Sequence, residues 1–269
     1  MAEPVSIVVC GAAGRMGRRI VALVDEEPGV EIVAAIEAAD SDALGRDAGE
    51  LAGITAIGVE VSDDYEAVAE PGTVTLDFTA PQASMANLET AASRGAAIVV
   101  GTSGLSAAER ERAEELAEKM PTMLAANMSL GVNVLSGLVA NAAKQLGAAF
   151  DCEIVELHHG LKEDAPSGTA LALAEVATQA KGLDAASALV LSRQGMVGRR
   201  SRDEIGVVAL RGGDAPGEHT VMFIGKGERL ELTHRALSRD CLASGAIRAA
   251  RWLIGKPAGL YRMSDLLDG

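Results

Sequence analysis

Apolar and polar positions along this chain follow two rhythms. In its first half, short runs rich in Val, Ile and Ala stop at glycine or polar turns, and segments of helical period follow them. Strands are predicted over residues 5–10, 31–36, 73–78, 96–100 and 122–126. Helices are predicted over 14–24, 81–94 and from Ser106, where Glu109 three residues on completes a capping box. Strands alternating with helices predict a doubly wound parallel sheet of Rossmann type.

The rhythm changes after Asn127. A helix is predicted over 132–146, a strand over 152–157 and a helix over 167–181. Strand-like runs then follow one another at 188–192, 204–210, 220–224 and 229–233. Short glycine-containing turns such as Gly225-Lys226-Gly227 read as antiparallel hairpins. A last helix over 241–254 could return to the first domain. The expected fold class is α/β: a Rossmann-type sheet plus a second α+β domain with a mixed, largely antiparallel sheet. The expected boundaries are 1–128 with 240–269 for one domain and 129–239 for the other.

Composition narrows the function classes. Aromatics make up only 2% of 269 residues, so aliphatic side chains must build the core. A net charge of −14 argues against general nucleic-acid binding and requires local positive charge to hold any anionic substrate. Cys10, Cys152 and Cys241 form no chelating or CxxC pattern, which predicts a reducing, cytoplasmic setting and no metal. Met1-Ala2-Glu3-Pro4 is acidic, leads into a strand and does not read as a signal peptide. No apolar run approaches the ~18 residues of a membrane span.

Gly11-Ala12-Ala13-Gly14-Arg15-Met16-Gly17 follows the first strand and opens the first helix. Glycines there let backbone approach a pyrophosphate, and the helix start offers free N–H groups. The spacing is GxxGxxG, so the context carries the signal. Glu37 ends the second strand, where an acid can bind ribose hydroxyls. NADH, NADPH or both are the expected cofactors. Glu37 favours NADH, and Ala38 supplies no charge for a 2′-phosphate, for which Arg15, Arg18 and Arg19 are the nearby candidates. Gly101-Thr102-Ser103 and Ala125-Ala126-Asn127-Met128 follow later strands and either line the nicotinamide or are plain turns.

The densest chemistry lies between Glu153 and Ala170. His158 and His159 can pass protons near neutrality, and Lys162 is a point charge for a carboxylate. For both histidines to face one ligand, the strand must end at about His158, because neighbours on a strand point to opposite faces. Ser167 or Asp164 can cap the helix that follows. Ser167, Gly168 and Thr169 then offer N–H groups and hydroxyls to a substrate carboxylate.

This segment, Glu153-Ile154-Val155-Glu156-Leu157-His158-His159-Gly160-Leu161-Lys162-Glu163-Asp164-Ala165-Pro166-Ser167-Gly168-Thr169-Ala170, resembles without a gap the signature of the 4-hydroxy-tetrahydrodipicolinate (dihydrodipicolinate) reductase family. The resemblance continues through Leu44 to Gly49, Asp77-Phe78-Thr79, Gly131-Val132-Asn133, Gly217-Glu218-His219-Thr220 and Gly255 to Tyr261. It implies NAD(P)H-dependent reduction of a small cyclic dicarboxylate in diaminopimelate and lysine biosynthesis. By position, His158 resembles the acid/base residue and Lys162 the proton donor. His159, Gly168 and Thr169 resemble carboxylate contacts. Gly11 to Met16, Glu37, Gly101 to Ser103 and Ala125 to Met128 resemble cofactor contacts. The resemblance also implies a homotetramer built through the second domain's sheet. There are two departures from the pattern: Ala38 stands where relatives often carry a basic residue, and Gly160-Leu161 where some do. Two other readings remain open at this level: a different two-domain NAD(P) oxidoreductase of amino-acid precursors, and a dinucleotide sensor without turnover.

Overall fold

A computed structural model describes residues 3–269; the reading of Met1 and Ala2 lies outside the described residues. The chain divides into two compact units. One runs to Leu130 and resumes over Asp240–Gly269, and the other is Gly131–Arg239.

The first unit contains β1 (Val5–Cys10), α1 (Arg15–Glu26), β2 (Val30–Ile36), α2 (Ala48–Ala52) and β3 (Val61–Ser62). It continues with β4 (Thr73–Asp77), α3 (Pro81–Arg94), β5 (Ala97–Val100), α4 (Ala107–Ala117) and β6 (Pro121–Leu124). These strands and a late one form a seven-stranded parallel sheet in the order β12-β6-β5-β4-β1-β2-β3. Burial on both faces explains why β1 and β5 are near-continuous apolar runs. Ile7, Val9, Leu76 and Val99 pack on one face with Ile20, Val21 and Val24 of α1. Val8, Ile98 and Val100 pack on the other with Leu88 of α3 and Leu116 of α4. Local signals set the helix ends: Pro81 opens α3, left-handed Gly95 closes it, and Ser106 with Glu109 forms the capping box of α4.

The second unit follows α5 (Leu130–Leu146) with β7 (Asp151–His158), α6 (Gly168–Ala180), α7 (Ala185–Ala188) and β8 (Leu189–Val190). It ends with β9 (Ile205–Arg211), β10 (Gly217–Ile224) and β11 (Arg229–Ala236). Its mixed sheet runs β11-β10-β7-β9-β8. Residues alternate strictly inward and outward along β7. The inward set, Cys152 and Ile154 with Val207, Val221 and Phe223, packs on Leu135 and Val139 of α5 and Leu173 and Ala177 of α6.

The hairpin expectation holds for β10 and β11 but is corrected at β8 and β9, which pair in parallel. The connection between them is a crossover pinned by charge: Arg193 and Arg200 both bond Glu153 of β7. β7 also separates β9 from β10, pairing parallel with the first and antiparallel with the second.

The last segment, α8 (Asp240–Leu253), β12 (Gly259–Tyr261) and α9 (Met263–Leu267), returns to the first unit. Ala243, Ala246, Ile247, Ala250 and Leu253 of α8 join the core beside α1. The approach is close: a Cβ on Gly245 would lie 1.8 Å from the Met128 carbonyl oxygen.

Candidate active site

In the first unit, one register row marks the carboxyl edge of the sheet: Ile36, Cys10, Asp77, Val100 and Leu124 stand side by side. Every segment expected to meet a dinucleotide leaves the sheet at this row. β1 has β2 on one side and β4 on the other, so the chain direction of winding reverses here, which is where such sheets bind ligands.

The turn after β1 is shaped by glycine. Gly11 adopts φ +79°, and its N–H bonds the Ile36 carbonyl at 2.9 Å. A Cβ on Gly17 would lie 2.1 Å from the Gly11 oxygen, so α1 packs against the turn only with glycine there. Gly14 is the N-cap of α1 and brings no side-chain cap, which leaves the first-turn N–H groups of Arg15, Met16 and Gly17 without an intrachain side chain to satisfy them. That arrangement fits a pyrophosphate. Glu37 follows the row directly, and its Oε1 accepts from the Ala13 N–H at 2.7 Å. The acid is thus fastened to the glycine turn. Ala12 is buried beneath it.

The arginines divide. Arg19 is paired with Asp240 at 2.8 Å, and Arg18 donates to the Ala13 carbonyl at 2.7 Å. Each is engaged through Nε, and both residues are exposed. Arg15 is exposed at the first helical position.

The two later segments are split between surface and core. Gly101 lies under the Phe78 ring, where a Cβ would approach to 2.2 Å. Thr102 is buried and donates to Asp77 Oδ1 at 3.1 Å, while Ser103 is exposed. Asp77 itself is fully buried and also accepts from Thr79, Ser84 and Asn87. This knot binds the loops after β4 and β5 together. Ala125 continues the β6 ladder to the Val100 carbonyl, and Ala126 is exposed. Asn127 Oδ1 accepts from Ser129 N, ahead of α5. The Met128 side chain is 1% exposed and belongs to the core. Thr102 and Met128 therefore give their side chains to packing.

In the second unit, the inner face of the sheet changes from apolar to polar toward the end of β7. Glu156 stands opposite His219, and His219 opposite His234. His158 stands opposite Arg211. The strand ends at His158, as its chemistry demands. His158 Nδ1 lies 2.6 Å from Glu156 Oε2. Arg211 grips the same carboxylate with both terminal nitrogens, at 2.7 and 2.9 Å, and the Ser167 N–H donates to Glu156 Oε1 at 3.0 Å. The His158 and His219 rings meet edge-on at 5.2 Å.

Burial pushes the Glu156 carboxyl up, but Arg211, His158 and the Ser167 N–H outweigh it and hold the carboxyl below its ordinary value. Burial, then the neighbouring His158, push His219 down to about 4. The charge of Lys162 also reaches His219. Lys162 itself is paired with both oxygens of Asp164, at 2.7 and 2.9 Å. Arg211 also donates to the Asp164 carbonyl at 2.7 Å, so the Lys162 loop is tied to Glu156, His158 and the start of α6.

Ser167, and not Asp164, caps α6: its Oγ accepts from Ala170 N at 3.2 Å and pairs with His219 Nε2 at 3.1 Å. Ser167 is 2% exposed and its hydroxyl is engaged by both the cap and His219. Gly168 and Thr169 begin the helix nearer the surface. His159 turns toward Arg239, with 3.5 Å between Nε2 and the guanidinium, and its Nδ1 is buried with no partner. Among the described residues, no group of His, Cys, Asp and Glu is arranged to hold a metal.

Glu156, Arg211 and His219 escaped the reading of chemistry from sequence. Glu156 could have been found, since residues two apart on a strand share a face with His158. His219 stood in a stretch of the resemblance with no role attached, and Arg211 gave no signal, because only strand register brings the two there.

Comparison with known proteins decides the family. The family model described as "Dihydrodipicolinate reductase, N-terminus" matches residues 5–128, and "Dihydrodipicolinate reductase, C-terminus" matches 131–267. The chain belongs to the dihydrodipicolinate reductase family. It is 51% identical over 263 residues to the 4-hydroxy-tetrahydrodipicolinate reductase of Citrifermentans bemidjiense, covering 98% of each chain. It is 52% identical over 263 residues to that of an Anaeromyxobacter species, covering 98% of this chain and 97% of the relative. A solved structure, the dipicolinate-bound dihydrodipicolinate reductase from Paenisporosarcina sp. TG-14, superposes with a TM-score of 0.76 at 23% identity, over 96% of this chain and 97% of that one. That likeness shows the shared two-sheet fold. As a dihydrodipicolinate reductase family member the chain is an NAD(P)H-dependent oxidoreductase, and its first unit holds the dinucleotide-binding Rossmann domain.

Proposed function

We propose that this protein reduces 4-hydroxy-tetrahydrodipicolinate to tetrahydrodipicolinate with NADH or NADPH, releasing water, in diaminopimelate and lysine biosynthesis. The observation that carries this reading is the tying of His158, the Lys162 loop and the α6 start together through Glu156 and Arg211 at one end of the second unit's sheet. The overall change consumes one hydride and one proton and expels the substrate hydroxyl as water.

When bound, the nicotinamide supplies the hydride. The remaining work falls to this chain. The Gly11–Gly17 turn and the bare first turn of α1 receive the pyrophosphate, and Glu37 receives the ribose. Gly101, Ser103, Ala126 and the backbone of Asn127 line the same edge of the sheet, in reach of the far end of a dinucleotide. In the second unit, the N–H groups of Gly168 and Thr169 receive one ring carboxylate. Lys162 neutralises a carboxylate by exchanging Asp164 for it, and His159 beside Arg239 receives the other. His158 or Lys162 delivers the proton to the ring carbon next to the one that takes the hydride.

The assembly is proposed to be a homotetramer. Val155, Val208, Leu157 and Leu210 stand in facing rows on the outer side of the second sheet, and Val208 and Leu210 are more than two-fifths exposed. Such a face supports pairing with other copies. A cytoplasmic setting is supported by three free cysteines.

The test couples purified protein to the preceding synthase with pyruvate and aspartate semialdehyde, and follows dinucleotide absorbance. Synthase-dependent oxidation is expected, and its absence with both cofactors would refute the reading. Lys162→Ala is expected to cut kcat by ~100-fold or more, the scale of a lost proton donor, with dinucleotide affinity kept.

A further inference from the structure

The carboxylate of Glu156 sits at the centre of the second unit's site yet touches no position a substrate would reach. It is fully buried, and all its bonds are internal. Oε2 takes His158 Nδ1 at 2.6 Å and one Arg211 nitrogen at 2.7 Å. Oε1 takes the other Arg211 nitrogen at 2.9 Å and the Ser167 N–H at 3.0 Å. A carboxylate held by a two-pronged guanidinium is ionised and can only accept. The imidazole nitrogen facing it must therefore donate.

We propose that Glu156 is the positioning residue of the proton-transfer site: it fixes neutral His158 as the tautomer protonated at Nδ1 and locks that imidazole to the start of α6. His158 Nε2 is then the nitrogen that takes and returns the mobile proton. A second feature agrees. A Cβ at position 217 would come within 2.9 Å of His158 Nε2 and 3.3 Å of Cδ2, so glycine there keeps the working edge of the ring clear. Geometry of the sheet enforces the pairing, because Glu156 and His158 project from the same face of β7.

The same anion joins three segments. Ser167, bonded through its N–H, caps the helix whose next residues are Gly168 and Thr169. Arg211, bonded to Glu156, also donates to the Asp164 carbonyl at 2.7 Å and so fastens the loop that carries Lys162. Strand end, loop and helix start are thereby held in one geometry, which is what proton transfer to a bound ring requires.

The activity arm of the test rests on the reductase reading; the spectroscopic arm does not. In the intact wild-type protein, with its His158 signals assigned by their loss in His158→Gln, nitrogen-15 NMR should show the neutral ring protonated at Nδ1 and bare at Nε2. Glu156→Gln keeps the shape but offers an amide, and should move the proton toward Nε2. Its kcat should fall ~100-fold or more, with a smaller change in substrate KM and no change in dinucleotide Kd. Glu156→Asp should recover part of kcat together with the Nδ1–H signature. Three results would overturn the proposal: a wild-type ring protonated at Nε2, a Glu156→Gln enzyme within about twofold of wild-type kcat, or loss of kcat with the tautomer unchanged. If Glu156→Gln does not fold, the wild-type spectrum alone decides. A wild-type protein that shows the Nδ1–H tautomer but no turnover would sink the reductase reading and leave the role of Glu156 standing.

Discussion

Glu37 shows how one carboxylate can serve two demands. One oxygen accepts from the Ala13 N–H and so stiffens the glycine turn. In the proposed function the other receives a ribose hydroxyl, and exposed Ala38 beside it brings no cation for a 2′-phosphate. Glu37→Ala should therefore weaken NADH by ~10-fold or more, the value of a hydrogen bond to a charged group, and weaken NADPH less. Titration of both dinucleotides checks this, and an equal loss for the two would remove the ribose role. The position of Glu37 at the end of a strand was legible in the sequence. The inward turn of Thr102 and Met128 was not, because spacing places a residue in a loop without saying which way it points. Ser167 teaches the same lesson: the hydroxyl at a helix start is the one the helix claims first.

Among elements, the second unit's sheet joins burial to acid sensitivity. His219 lies on β10 between His158 and Glu156 on one side and His234 on the other, under the start of α6. Unfolded, it takes a proton near 6.5; folded, only near 4. Between those values the unfolded chain binds more protons, so stability rises with pH and is lost as pH falls from 6.5 toward 4. The loss is on the order of 3 kcal/mol across that window. Glu156 and Asp164, whose carboxyls are held low, add to it only below about 4.5 and 3.8. Denaturant unfolding of His219→Gln at several pH values should give a shallower dependence between 6.5 and 4. An unchanged slope would show that His219 is not the group responsible.

Long elements were legible because each carries a full period or a cap: β1, α3 and the capping box of α4 stand where the pattern puts them. α2, β3, β12 and α9 are five residues or fewer, too short for a period to show, and tertiary packing creates them. The parallel pairing of β8 with β9 was hidden for another reason. Turn residues reveal where a chain turns, not which strand it will lie beside, and the pins Arg193 and Arg200 act across distant parts of the sequence.

At the scale of the whole molecule, chemistry is divided between two units that each have their own core. The first carries the dinucleotide edge, and its core is completed by the final helix α8. The second carries His158, Lys162 and the start of α6, the groups proposed to donate the proton and receive a carboxylate. A net charge of −14 gives an anionic substrate no general attraction, so on the proposed reading capture depends on Lys162 and the start of α6. In the proposed function a hydride passes from a reduced dinucleotide into the cyclic product of the synthase. The most direct measurement of this is mass spectrometry of that product formed with NADH deuterated at both C4 positions. One deuterium per product molecule, appearing only when synthase and its substrates are present, is the predicted result. A product without deuterium, or no product beyond that of the synthase alone, would contradict it.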